Sequence, residues 1–173
     1  MKRILLTVLI MSSVFARFVH EATSWEYNQS TLQSFYLLED LTIDGNPVGE
    51  GDAIGAFLND VCVGFIDTDP EGYTTVPLMG NDGSDPTIGY MSIGDVAVLK
   101  YYDASNDEIS LLNPSEDLPG WSINGLDNIY GTSTACNGDG IIDDCGVCSG
   151  SYSGHEANSD IDCTGTCFGG SWE

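Results

Sequence analysis

The composition of the chain breaks at Gly131, and that break limits what either side of it can fold into. From Thr132 onward the residues are mostly Gly, Ser, Asp and Cys, with Ile141, Ile142, Val147, Ile161 and a few aromatics as the apolar exceptions. So short and polar a segment cannot bury a core of its own, so covalent staples, a metal or both must hold it. Five of the six cysteines lie in it, between Cys136 and Cys167. The stretch before the break holds only Cys62 and is rich in Val, Ile, Leu, Phe and Tyr, enough for a self-sufficient core.

That longer stretch reads as β throughout. Ser34 to Ile43 is dense in strand formers and ends at the turn signal Asp44-Gly45-Asn46-Pro47. Ala53–Leu58 and Val61–Ile66 flank Asn59-Asp60, a pair that tolerates the positive φ of a tight hairpin. Tyr73 to Leu78 follows, then the turn cluster 80–86. In Asp95 to Tyr102 the side chains of Ala97, Leu99 and Tyr101 alternate with Val96, Val98, Lys100 and Tyr102, and Lys100 marks the second face as the wetter one. Ile109 and Leu111 return on one face after the turn at 103–107. Strand-sized runs punctuated every eight to twelve residues, with no amphipathic helix among them, predict an all-β antiparallel β-sandwich over residues 24–131, followed by a loop-rich, disulfide-stapled tail over 132–173.

The first sixteen residues read as a secretory signal peptide: Met1-Lys2-Arg3, then the apolar run Ile4 to Met11, then a small-residue site ending at Ala16. The run is too short to span a bilayer. Residues 17–23 form a short leader. Cleavage after Ala16 leaves Arg17 and Lys100 as the basic side chains against 27 acids. A surface of that sign repels nucleic acid and anionic lipid and attracts cations. The protein is therefore expected outside the cell or on its surface, with no membrane span.

Three chemistries compete for the tail. Cys145-Gly146-Val147-Cys148 has the spacing of a thiol oxidoreductase pair, yet it sits beside Asp143-Asp144, which raise a thiol pKa, and no helix pattern follows it. Cys145, Cys148, Cys163 and Cys167 approach a zinc-ribbon spacing, which an oxidising compartment disfavours. Asn137-Gly138-Asp139-Gly140-Ile141-Ile142-Asp143-Asp144 alternates oxygen-bearing side chains with glycine, as calcium loops do. In EF-hand register two acidic ligands are missing, so it is not that motif. The expected calcium ligands are Asn137, Asp139, Asp143 and Asp144. Cys62, Cys136, Cys145, Cys148, Cys163 and Cys167 are the disulfide candidates, with a Cys62–Cys136 bridge as one way to pin the tail to the β domain.

The segment Asp143-Asp144-Cys145-Gly146-Val147-Cys148-Ser149-Gly150 resembles the D-D-C-G-V-C-x-G repeats of large exported bacterial surface proteins and, more distantly, thrombospondin type 3 calcium repeats. Asp162-Cys163-Thr164-Gly165-Thr166-Cys167-Phe168-Gly169 is a degenerate second copy. The resemblance implies a stiff, disulfide-tied, calcium-loaded stalk. Gly51-Asp52-Ala53-Ile54-Gly55-Ala56-Phe57 with Val61-Cys62-Val63-Gly64 resembles the GD-x-I-G-A-F … C-x-G pattern of exported multidomain proteins, a pattern that implies neither an activity nor a ligand. The sequence stops in mid-repeat, as expected for part of a longer chain.

Neither His20 nor His155 lies in a predicted strand that would position it for catalysis. The expected function is thus non-enzymatic: a structural or adhesive module on a calcium-dependent stalk. The alternative is a carbohydrate-binding module engaging an extracellular polysaccharide through an aromatic platform, with Trp121 and Tyr102 as its candidate residues. Asp67-Thr68-Asp69-Pro70-Glu71-Gly72 is a further possible cation turn.

Overall fold

The computed structural model describes residues 16–43, 45–70, 73–137, 141–145, 147–149 and 156–170. The architecture is all-β, and among the described residues the one helical element is a short 3-10 turn at Asp85–Thr87. The strands are β1 (Arg17–Val19), β2 (Glu26–Asn28), β3 (Gln33–Ile43), β4 (Asn46–Pro47), β5 (Ala53–Leu58), β6 (Val61–Asp67), β7 (Thr74–Met79), β8 (Val98–Asp103), β9 (Glu108–Pro114), β10 (Leu126–Asn137), β11 (Ile141–Ile142) and β12 (Cys148–Ser149). The main sheet is eight-stranded in the order β4-β3-β10-β9-β8-β5-β6, with β7 also paired to β3. β1–β2 and β11–β12 are separate two-stranded hairpins.

The expected β5–β6 hairpin forms as read: Asn59 (φ 47°) and Asp60 (φ 65°) both take the left-handed conformation that a two-residue turn requires. The long strand β3 is present too, with a change of phase inside it. Ser34, Tyr36 and Leu38 are buried, then Leu41 and Ile43. An extra residue on β3 accounts for the slip, because Glu39 pairs with Tyr130 while the next pair is Thr42 with Thr132. This is a β-bulge, and it lets one strand keep an apolar face inward on both sides of a bend.

One pairing departs from an antiparallel sandwich. β10 runs parallel to β3, Leu126–Tyr130 beside Phe35–Glu39, while every other pairing in the main sheet is antiparallel. A parallel neighbour needs a long return, and here most of the β domain serves as that connection. β10 also continues to Asn137, where residues 133–137 pair with β9. The compositional break at Gly131 is therefore not a break in the sheet.

The sheet curls so that β6 and β7, far apart along the hydrogen-bonded path, pack on each other. Gly64 makes this possible: a Cβ there would stand 1.8 Å from the Pro77 carbonyl oxygen. Inside the curl lies the main core, built on Tyr36, Ile54, Val63, Val76, Leu78, Met91 and Leu99. A smaller cluster of Trp25, Ala53, Phe57, Cys62 and Tyr102 covers the other side of β5, β6 and β8. The face marked as wetter by Lys100 is thus partly capped: Val96 and Val98 are exposed, Lys100 lies 4.3 Å over the Phe57 ring, and Tyr102 is buried.

The two glycines of the motif strands have different tolerances. At Gly64 the obstacle is backbone, whereas a Cβ at Gly55 would meet ring atoms of Phe57 and Trp25 at 2.8 Å, and rings can shift. Gly64→Ala is expected to destabilise the fold by more than ~3 kcal/mol and Gly55→Ala by about 1–2 kcal/mol, read as urea midpoints at unchanged slope. Equal midpoints for the two variants would contradict the packing described.

Candidate functional site

The β domain holds a cleft of about 530 Å³ between the 46–52 loop and the 103–108 turn. Its floor is Ile43, Tyr101 and Ser110, and its carboxylates are Glu50, Asp52, Asp103 and Glu108. Asp52 is buried and fully engaged. Oδ2 accepts from Gly49 N–H (2.7 Å) and Tyr101 O–H (2.5 Å), and Oδ1 from Ala104 N–H (3.0 Å). Its own carbonyl accepts from Thr68 N–H. Asp103 Oδ1 accepts from Ser105 N–H and O–H and from Asn106 N–H, and Oδ2 from Asn106 Nδ2. The Ser105 hydroxyl above all holds the Asp103 carboxyl below its usual range. The inner acids of the cleft thus organise its two loops, and Glu50 and Glu108 remain exposed at its rim. Its lining includes no His, Cys or Lys, and it offers a negative, polar concavity.

This geometry explains the motif from which a family resemblance was drawn. Asp52 ties three segments, Ile54 and Ala56 enter the main core, Gly55 makes room for Trp25, and Gly64 for Pro77. These five motif positions have folding roles. Sequence reading missed the Asp52 bonds because their donors, Tyr101 and Ala104, are some fifty positions away.

Neither candidate ring of the aromatic platform lies open to solvent. Trp121 is 2 % exposed, donates Nε1–H to the Leu78 carbonyl at 3.0 Å and lies against Gly80, where a Cβ would stand 2.4 Å from its ring. Tyr102 is 7 % exposed beneath Trp25, with its hydroxyl donating to Asp107. Loop composition around Trp121 signals a turn, but it carries no information about which core the ring enters.

In the tail, Asp143 accepts from Cys145 N–H and Val147 N–H on Oδ1, both at 3.0 Å, and from Ser149 O–H (2.8 Å) and Asn158 N–H (2.9 Å) on Oδ2. These donors, Asn158 N–H first, lower its carboxyl to about 2. With four donors aimed at its oxygens, Asp143 is a hydrogen-bond hub, and binding calcium there would require donors to leave. Asp144 is exposed and accepts from Asn158 Nδ2. Asp139 and the side chain of Asn137 lie outside the described residues. Among those described, no three His, Cys, Asp or Glu side chains converge on a metal position.

Asp162 repeats the arrangement. Its Oδ1 accepts from Thr164 N–H (2.9 Å) and Thr166 N–H (3.1 Å), the same i+2 and i+4 amides, and Asp162 N–H donates to Thr166 O as Asp143 N–H does to Val147 O. The degenerate second copy therefore adopts the same loop. Gly169 closes it, since a Cβ there would sit 2.0 Å from Asp162 Oδ2.

Cys145 is bonded to Cys167, so it belongs neither to a C-x-x-C redox pair nor to a thiolate zinc set. Cys148 is also disulfide-bonded, and the side chain of Cys136 lies outside the described residues. Two of the disulfide candidates are free thiols: Cys163 is exposed and Cys62 is buried. Cys62 therefore does not bridge to Cys136. It is enclosed with Trp25, Phe57 and Tyr102, and burial pushes its thiol up to about 11. The proposed cation turn at 67–72 lies partly outside the described residues, and Asp67 instead faces His20. Comparison of the chain with protein-family models, with curated proteins and with solved structures finds no significant match.

Two outcomes are expected. Trp121→Ala costs about 3–5 kcal/mol of stability in thermal or urea unfolding, as removal of a buried ring does. For Asp143 a depressed folded-state pKa means stabilisation that is complete above the unfolded value near ~3.9 and lost as pH falls toward about 2. Amide protection at Cys145 and Val147, corrected for intrinsic rates, should fall across that acid window and stay flat above ~pH 5.

Proposed function

We propose that the protein is a non-enzymatic module of a secreted or cell-surface protein, a curled β-sandwich carried on a covalently tied connector. The observation that supports this best is the repeated tail loop: Asp143 and Asp162 gather the same two amides, and Cys145–Cys167 ties one loop to the other. Such a unit is ordered without a core. Its disulfide suits an oxidising compartment, as do the first sixteen residues, which read as a signal peptide. Repetition of a self-closing, cross-linked unit makes a spacer, and the inner acids of the cleft, Asp52 and Asp103, hold loops in place.

Calcium enters this proposal in a narrower form than the sequence expectation. Asp144, exposed beside the hub, is the described carboxylate that keeps a place in the calcium expectation, with Asn137 and Asp139 as its partners by sequence spacing alone, while Asp143 keeps its donors. A cell-surface or polysaccharide partner, in this reading, is engaged elsewhere than through the buried rings of Trp121 and Tyr102.

Limited proteolysis of the full chain under four conditions separates these terms: untreated, with calcium, with chelator, and with a reductant. The connector reading expects reductant to expose cleavage after residue 141 at least about tenfold faster, with the β domain left intact. Chelation should change cleavage less than reduction does. A tail cut equally fast before and after reduction would overturn the connector, and a chelator effect as large as that of reductant would restore calcium as the principal staple.

A further inference from the structure

The hairpin of β1 and β2 is closed by one histidine. His20 N–H donates to Trp25 O and Ser24 N–H to His20 O, both at 2.8 Å, so the loop 20–24 is a tight turn with Ser24 at φ 59°. The imidazole folds back into this turn. Its Nδ1 accepts from Thr23 N–H at 3.2 Å and stands 2.8 Å from Thr23 Oγ1, which itself accepts from Trp25 N–H. Its Nε2 faces Asp67 Oδ1 at 3.4 Å. A backbone amide can only donate, so Nδ1 is unprotonated and the proton sits on Nε2.

The ring is also enclosed. Trp25, Phe65 and Tyr102 surround it with centroids at 5.8, 5.5 and 5.7 Å, and the side chain is 12 % exposed. We propose that His20 is a pH-sensitive latch: in its neutral form it holds the 20–25 loop, and with it Trp25, down on the sheet, and protonation of Nδ1 releases that loop.

The groups facing His20 set the direction. A proton on Nδ1 points at Thr23 N–H. The Thr23 hydroxyl can rotate to accept it; the amide cannot turn, because the 20–24 turn fixes it. From β6, Asp67 favours an imidazolium, but its side chain is 73 % exposed and screened by water. Also on β6, Cys62 is a buried thiol in the Trp25 cluster. From β8, Tyr102 donates to Asp107, and Lys100 lies over Phe57. On β2, Glu26 is paired with Arg17. The three rings around the imidazole limit the water that can reach the new charge.

Opening is confined to the loop. Asn28 N–H donates to the Tyr90 hydroxyl at 2.7 Å and Tyr27 belongs to the main core, so β2 stays docked. What opens is the Trp25 lid over Cys62 and Phe57.

Imidazole nitrogen NMR of the whole chain at about pH 8 is expected to show the Nε2–H tautomer, and an Nδ1–H tautomer would overturn the latch outright. From about pH 8 to about pH 5, amide protection at Ser24 and Trp25 should fall about tenfold after correction for intrinsic rates, the scale of one lost hydrogen bond. Tyr27 and Asn28 should not follow. His20→Gln keeps an acceptor that cannot charge, and should abolish the pH dependence. Constant protection in the unmodified chain, or the same pH dependence in His20→Gln, would sink the proposal. The tautomer measurement decides if the variant fails to fold.

Discussion

Carboxylates that accept backbone amides hold this structure together. Asp52 joins the 49–52 loop to β8 and the turn after it; Asp82 receives the amide and hydroxyl of Thr31, those of Ser84, and the Thr87 hydroxyl. These donors, the Ser84 hydroxyl foremost, hold the Asp82 carboxyl far below its ordinary range. Asp103, Asp143 and Asp162 do the same for their own turns. A chain with a formal charge of −23 has few cations to pair with its acids, and the described residues contain only a handful of ion pairs. Charge-assisted bonds from N–H groups are the donors it has in quantity, and they are worth more than neutral hydrogen bonds.

The same device operates in two settings that otherwise share little. In the β domain the hubs fix loops whose strands already have a core, so they set loop shape and leave the strands to apolar burial. Among the described tail residues no such core is found, and Asp143 with Asp162, together with Cys145–Cys167, make up much of the described order. Glycine completes both. Gly64 lets two strands meet and Gly169 lets a carboxylate reach its own loop, and in each case the missing Cβ would collide within about 2 Å.

The strands were legible because their signals are local. β3, the β5–β6 hairpin, β7 and the inward set Ala97, Leu99 and Tyr101 all follow from alternation and turn residues. What escaped reading depends on distant partners. The parallel seat of β10 beside β3 joins segments that no local pattern links. Trp121 was read as an exposed loop ring, yet its place is set by the Leu78 carbonyl and by Gly80. Tyr102 and Cys62 fall on the face that Lys100 marks as wet, and they are buried because Trp25, from outside the main sheet, covers them. In the tail the two-copy pattern was legible at the level of register, since Asp143 and Asp162 do occupy equivalent positions. The role of those carboxylates was not, because an oxygen-rich glycine loop serves equally to surround an ion or to gather amides, and only the direction of the N–H groups tells the two apart.

The course of β10 gives the connector a mechanical meaning. β10 pairs with β3 from Leu126 to Ser133, across the bulge, and with β9 from Ser133 to Asn137, so the two rows follow one another along a single strand. A pull on the tail then acts along β10 and loads both rows of hydrogen bonds in shear, bonds that must yield together rather than one at a time. The bulge between the Tyr130 and Thr132 pairs lies within the β3 row, just before the rows meet at Ser133. Had the tail left from the end of a short edge strand such as β4, the same pull would peel two residues from the sheet. A segment tied by disulfide and continued from an inner strand passes a pull into β3 and β9 on either side of β10, rather than into an edge of the sheet.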